Sequence, residues 1–171
     1  NIMCGIVGQI NLDRSPVSPV VLKKMTNVIA HRGPDGEGHW IDDNVGLGHR
    51  RLSIIDLSKD GHQPMISADG RYALTYNGEI YNFPELRKKL KKKGYSFRSQ
   101  TDSEVVLNAL SEWGSNALLK FNGMFALALW DRKEKILLLA RDRYGIKPLY
   151  YFKDKFKLVF ASEQKAILEQ P

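Results

Sequence analysis

Cys4 is the only cysteine among 171 residues, and it stands in the string Met3-Cys4-Gly5-Ile6-Val7-Gly8. In a chain beginning at Cys4, a thiol and a free α-amine would share one residue. The amine titrates near ~7.7–8.0 and the thiol near ~8.5, so close to neutral pH the amine can take the thiol proton. This is the logic of an N-terminal nucleophile whose own amine serves as base. Asn1, Ile2 and Met3 precede Cys4 here, so the chemistry requires that they be absent or removed. The alternative is a lone buried thiol that acts as a small hydrophobe.

Three polar segments could complete such a site. His49-Arg50-Arg51-Leu52 places two arginines where a strand should bury side chains. Tyr76-Asn77-Gly78-Glu79-Ile80-Tyr81-Asn82 ends a strand on Asn-Gly, a turn former, yet continues into aromatics. Ser99-Gln100-Thr101-Asp102 leads into a helix N-terminus. Each also has an ordinary reading: strand-edge arginine, hairpin turn and helix cap. Together they supply the parts of an amide-hydrolysing pocket. The Asn77 amide beside the Gly78 N–H suits an oxyanion, because glycine lets backbone come close. An arginine offers a planar fork to a carboxylate, and an aspartate can pair with an ammonium.

The elements that must position these residues follow from hydrophobic spacing. Residues 4–12 read as a strand. Ser18-Pro19 opens a helix carrying Val21, Leu22, Met25, Val28 and Ile29, which stops at His31-Arg32-Gly33-Pro34. Strands are expected over 38–42 and 45–55 about the turn Asp43-Asn44. A hairpin at Asp69-Gly70 leads into Tyr72–Tyr76. Thr101-Asp102-Ser103-Glu104 has capping-box form before a helix ended by Gly114. The last third is strand-rich, with apolar runs over 124–130, 135–141, 149–152 and 158–161 that suit strands covered on both faces. The order fits antiparallel sheets stacked between helices, an α+β sandwich.

The chain is long enough for one domain with a proper core. Its net charge of +7 is local: six cations fall between Arg87 and Lys93, and the remainder carries +1. Pro84, Leu86, Leu90 and Gly94 make that stretch a short amphipathic surface helix. It has no interleaved aromatics, so no nucleic-acid partner is expected. No apolar run approaches the ~20 residues of a membrane span, and a single cysteine agrees with a cytoplasmic protein. His31, His39, His49 and His62 lack ligand spacing, so no metal site is expected. His31 and Arg32 read as a structural loop near the pocket.

At this point the chain resembles the glutaminase domain of the asparagine synthetases, class II glutamine amidotransferases of the N-terminal-nucleophile hydrolase fold. The matching strings begin with Met3-Cys4-Gly5-Ile6, His31-Arg32-Gly33-Pro34-Asp35, Arg51-Leu52-Ser53-Ile54-Ile55-Asp56 and Asn77-Gly78-Glu79-Ile80-Tyr81-Asn82. They continue through Thr101-Asp102-Ser103-Glu104, Gly123-Met124-Phe125-Ala126, Arg141–Tyr151 and Ala161–Ala166. The resemblance covers residues 3–169, taken as one glutaminase domain, and implies a four-layer αββα sandwich. It implies Cys4 as nucleophile, Asn77 and Gly78 as oxyanion hole, and Arg51, with Leu52 and Ile54 nearby, for the glutamine α-carboxylate. Glu79 and Asp102 would hold the α-amino end. The domain itself would need no cofactor. ATP and magnesium belong to a C-terminal synthetase domain, absent here, that makes asparagine from aspartate and receives the ammonia. A homodimer is left open.

Two rival readings stand beside this one. The same domain could feed a different amidating synthetase, since nothing in the sequence identifies the ammonia acceptor. With Cys4 never exposed, it could be a non-catalytic regulatory module, although Cys4, Arg51, Asn77, Gly78 and Asp102 together argue against a decayed site.

Overall fold

The computed structural model describes residues 3–52 and 61–171. Nine strands form two antiparallel sheets among these residues. The first contains β1 (Gly5–Asn11), β2 (Gly36–Asp42), β3 (Val45–Arg51), β8 (Tyr150–Lys153) and β9 (Lys157–Ala161), in the order β2-β3-β1-β9-β8. The second contains β4 (Met65–Ile66), β5 (Tyr72–Ile80), β6 (Gly123–Asp131) and β7 (Ile136–Arg141), in sequence order. Helices α1 (Pro19–Val28) and α4 (Gln164–Ile167) cover the first sheet, while α2 (Phe83–Lys92) and α3 (Asp102–Trp113) cover the second.

Side-chain alternation along the strands sorts three cores between these four layers. Ile6 faces the second sheet and Val7 faces α1; Phe160 faces inward while Val159 and Ala161 turn to the helices. Along β6, Ala126, Ala128 and Trp130 meet the first sheet, and Leu127 and Leu129 meet α2 and α3. The continuous apolar run of β6 is therefore a strand buried on both faces, as its sequence predicts. β8 departs from that expectation, since all four of its residues are exposed at the sheet edge.

Helix α1 begins as expected, with Ser18 Oγ accepting from Val21 N and Pro19 in the first turn. Its buried face is Leu22, Met25 and Thr26. The capping box at α3 is only half formed. Thr101 Oγ1 accepts from Glu104 N, but the Glu104 carboxylate turns away to Arg98 N, Ser99 N and Ser99 Oγ. Helix α2 buries Leu86 and Leu90 and exposes Lys88, Lys89, Lys91 and Lys92. Arg87 is not part of that solvated face: it donates to Ser99 O and Thr101 O and lies over the Phe97 ring. No helix among the described residues is long and apolar enough to cross a membrane.

Two contacts set how the sheets face each other. Thr75 Oγ1 donates to Gly48 O at 3.1 Å, and His49 Nε2 donates to Tyr76 O at 3.2 Å. β3 and β5 therefore run in the same sense from this crossing. A few residues beyond it, Arg50 and Arg51 end β3 beside Gly5, and Asn77 to Ile80 end β5.

Candidate active site

Cys4 sits immediately before β1, and its sulfur lies against the backbone of Leu52. Leu52 N donates to Sγ at 3.3 Å, and Sγ donates to Leu52 O at 3.6 Å. Burial pushes the Cys4 thiol up, while the Leu52 N–H and the charges of Lys147 and Arg51 pull it down without cancelling that rise. The residue is held from several sides. Its carbonyl accepts from Arg32 Nε at 3.1 Å. The next backbone groups are fixed by Ser162, whose Oγ accepts from Ile6 N and whose N donates to Ile6 O. A Cβ at Gly5 would lie 2.7 Å from Ile29 Cδ1 and 3.3 Å from Arg32 Cδ, so a side chain there would push on both residues.

Arg51 ends β3 opposite Gly36, and its guanidinium passes close over Gly61, next to the Thr101 methyl. A Cβ at Gly61 would come within 2.7 Å of Arg51 Nη2, so glycine lets the arginine lie flat there. The other arginine of the pair has a structural task. Arg50 donates to Thr26 O and Asn27 Oδ1 and pairs with Glu37 at 2.8 Å, tying β3 to α1 and β2.

Asn77 and Gly78 lie inside β5, not at a turn, because pairing with β6 continues to Ile80 opposite Gly123. Gly78 stands opposite Phe125, whose own N–H and C=O are both taken by Asp142. Gly78 and Phe125 are thus a non-hydrogen-bonded pair, and the Gly78 N–H points away from β6. Residues of the same parity show where that direction leads. Tyr76 N donates to Gln63 Oε1 at 2.6 Å, and Ile80 N donates to Asp102 Oδ2 at 2.9 Å. A side chain at position 78 would collide with Met124 O, the Tyr76 ring and Phe125 Cβ. Asn77 is 2% exposed, and its Nδ2 is buried without a hydrogen-bond partner. A buried amide left unpaired is costly, and this donor is free to serve a ligand.

Asp102 opens α3 and accepts from the Tyr76 hydroxyl at 2.7 Å as well as from Ile80 N, both on Oδ2. Burial raises its carboxyl above the usual range, against those two bonds. Glu79 is exposed, one alternation beyond Asn77 on the same face of β5. Ile54 lies outside the described residues.

Lys147, Arg32 and Glu163 were not singled out as site residues from the sequence, yet all three bear on Cys4. Lys147 lies in the loop between β7 and β8 and is 7% exposed. Arg32, also 7% exposed, joins the Cys4 carbonyl to Glu163, with Nη1 at 3.0 Å from Oε1. Its Nη2 is buried without a partner. Burial pushes Glu163 up, but Arg32, Lys165 and His31 outweigh it and hold the carboxyl at about 2. The only signal for these roles in the sequence was membership of His31–Asp35, Arg141–Tyr151 and Ala161–Ala166 in the strings above. Among the described residues no group of three or more His, Cys, Asp or Glu is clustered as metal ligands would be.

Comparison with known proteins shows what the chain resembles. A family model described as a glutamine amidotransferase domain matches residues 3–171. The asparagine synthetase [glutamine-hydrolyzing] 1 of Bacillus subtilis is 43% identical over 97% of this chain, which spans 27% of that relative. The amidase chry2 of Gibberella zeae is 40% identical over 97% of this chain and 26% of its own length. The chain thus spans about a quarter of the length of these curated relatives. In fold it is similar to a solved glutamine phosphoribosylpyrophosphate amidotransferase of B. subtilis, with a TM-score of 0.80 at 21% identity, covering 96% of this chain and 43% of that one.

Proposed function

The chain belongs to the glutamine amidotransferase domain family, and on that premise we propose that Cys4 is the residue with which it hydrolyses the side-chain amide of glutamine. In a chain beginning at Cys4, the α-amine takes the thiol proton and the sulfur attacks the amide carbon. Asn77 Nδ2 and the Gly78 N–H receive the oxyanion. Collapse breaks the C–N bond; the amine returns its proton to the leaving nitrogen, and ammonia departs. Water, deprotonated by the same amine, then attacks the γ-glutamyl thioester, releasing glutamate and restoring the thiol. Arg51 binds the α-carboxylate, with Leu52 and Ile54 alongside, and Asp102 and Glu79 receive the α-amino group.

The observation that carries this reading is the unpartnered Asn77 Nδ2 beside an N–H of Gly78 that is turned away from β6. A buried side-chain donor followed by a backbone donor turned out of the ladder suits a charge that exists only during reaction.

The unit proposed to do this is residues 3–169. We propose aspartate, activated with ATP and magnesium on a C-terminal synthetase domain in the cytoplasm, as the ammonia acceptor, a reading that the relatives named asparagine synthetase support. The similarity to a protein named an amidase keeps a different acceptor as the second reading.

Glutamate release by the 171-residue chain, by one beginning at Cys4 and by its Cys4→Ser variant tests the proposal. The chain beginning at Cys4 should be the active one, and Cys4→Ser should lose most of that activity, because a hydroxyl is the poorer nucleophile. Equal rates with and without residues 1–3 would sink the assignment of the α-amine as base.

A further inference from the structure

Lys147 is the one lysine buried among the described residues. The loop that carries it is tightly built. Asp142 accepts from the backbone N–H groups of Phe125, Tyr144, Ile146 and Lys147, which stitches the loop to β6. Arg141 Nε donates to Lys147 O at 2.8 Å. Gly145 supplies the left-handed turn, at φ +64°. All this order delivers an ammonium to a place where it is poorly served, because Nζ donates at 3.0 Å to the thioether sulfur of Met3. A thioether is a weak acceptor, and an ammonium buried against one is a cost to the fold. Met3 is the residue bonded to Cys4.

The charges that face Cys4 and Lys147 come from every neighbouring element. Arg51 stands at the end of β3, Arg32 in the turn after α1, and Lys147 in the loop after β7. Glu79 and the Tyr76 hydroxyl come from β5, and Asp142 lies behind Lys147. Of these, Lys147 and Arg51 act on the thiol as cations. Arg51 already has a use as the carboxylate fork, so Lys147 is the cation without one.

We propose that Lys147 sets the protonation state of Cys4, its fixed charge favouring thiolate over thiol and, once Cys4 begins the chain, free amine over ammonium. The inference rests on the reading of Cys4 as nucleophile and adds a positioning residue to it. Both ionisations make the local charge more negative by one, so a nearby cation favours each. Absence of Met3 deletes the thioether and leaves Cys4 as the residue at the chain start on which the ammonium acts. Burial holds Lys147 below the usual lysine range, with the Cys4 and Glu79 charges opposing that fall and Arg32 adding to it.

Alkylation of Cys4 by iodoacetamide, followed against pH, is the test, and the single cysteine makes the signal unambiguous. Wild type, Lys147→Met and Lys147→Arg are compared, each as the 171-residue chain and as a chain beginning at Cys4, with thermal melts alongside. Lys147→Met should slow alkylation at pH 7 by about tenfold or more and move the profile to higher pH. Lys147→Arg should restore it. The Tm of Lys147→Met should equal or exceed that of wild type, because a badly paired buried charge has been replaced by an apolar chain of similar size. A folded Lys147→Met with an unmoved profile overturns the proposal. So does a Lys147→Met chain that no longer folds, which would make the lysine structural. Failure of the underlying reading looks different: Cys4→Ser would then go on releasing glutamate, whatever Lys147 does to alkylation.

Discussion

Arg32 donates its Nε–H to the carbonyl oxygen of Cys4 at 3.1 Å while its Nη1 holds Glu163 at 3.0 Å. The cysteine is thereby gripped at its carbonyl, away from the thiol. The grip reaches from the turn after α1 to the residue before α4, so the two helices over the first sheet share in placing the sulfur.

Arg32→Ala should therefore reduce both stability and turnover. Loss of a charge-assisted bond to a half-buried carbonyl is worth ~1.5–3 kcal/mol at most, read from urea unfolding. Glu163→Gln should lose less. Because the Glu163 carboxyl is held at about 2 instead of the usual 4.5, its contribution is present above pH 4.5 and disappears as pH falls toward 2. The Gln variant should lack that part of the acid dependence.

Asn77→Ala should separate activity from stability. Removing one oxyanion donor costs ~3–4 kcal/mol in the transition state, about 10²–10³ in kcat, with KM little changed. The Tm should hold, since Nδ2 has no protein partner to lose. Normal kcat with a raised KM would reduce Asn77 to a binding residue.

Arg51→Ala and Asp102→Asn should fail on opposite ends of glutamine. Losing one partner of a desolvated charge pair costs ~2–5 kcal/mol, so KM for glutamine should rise steeply in Arg51→Ala. That deficit should vanish with an analogue lacking the α-carboxylate, and the Asp102→Asn deficit with one lacking the α-amine. Full deficits on the trimmed analogues would make both residues supports of the fold. Asp102 has a second duty in any case, through Tyr76 and Ile80.

His49 should make the fold acid-sensitive. Burial drives its imidazole from the usual 6.5 down to about 3, against the opposing bond to Tyr76 O. The unfolded chain then binds a proton that the folded one refuses. Stability present above pH 6.5 is lost as pH falls toward 3, by about 1.4 kcal/mol per unit. His49→Gln, which can keep a donor to Tyr76 O without titrating, should flatten the urea midpoint between pH 7 and pH 5. An unchanged slope would reject the assignment.

The layers were legible because their signals are periodic. The spacing of Leu22 and Met25 in α1, the alternation of β1 and the apolar run of β6 all express burial directly. The errors came where tertiary pairing overrides a local preference. Asn77-Gly78 has the composition of a turn but is held straight by nine consecutive pairings with β6. Arg32 reads only as part of a structural loop near the pocket and nothing in the sequence marks Lys147 as buried, because their partners, Glu163 for the arginine and Met3 for the lysine, are distant in sequence. The apolar β8 is uncovered at its edge, which periodicity alone has no means to reveal.

The brevity of β4 has a consequence for what arrives at β5. Its two residues pair with Leu74 and Ala73, and Pro64, just before them, has no N–H with which to continue the ladder. Gln63 supplies one more acceptor from its side chain, at Tyr76 N, and Asp102 Oδ2 accepts from Ile80 N further along the same edge. The next N–H in line is that of Gly78. A carbonyl oxygen bound there would stand where the next strand residue's oxygen belongs, and such a visitor would complete the sheet. Lengthening β4 by a few extended residues would fill the same place from within, closing the door without altering a single residue inside the room.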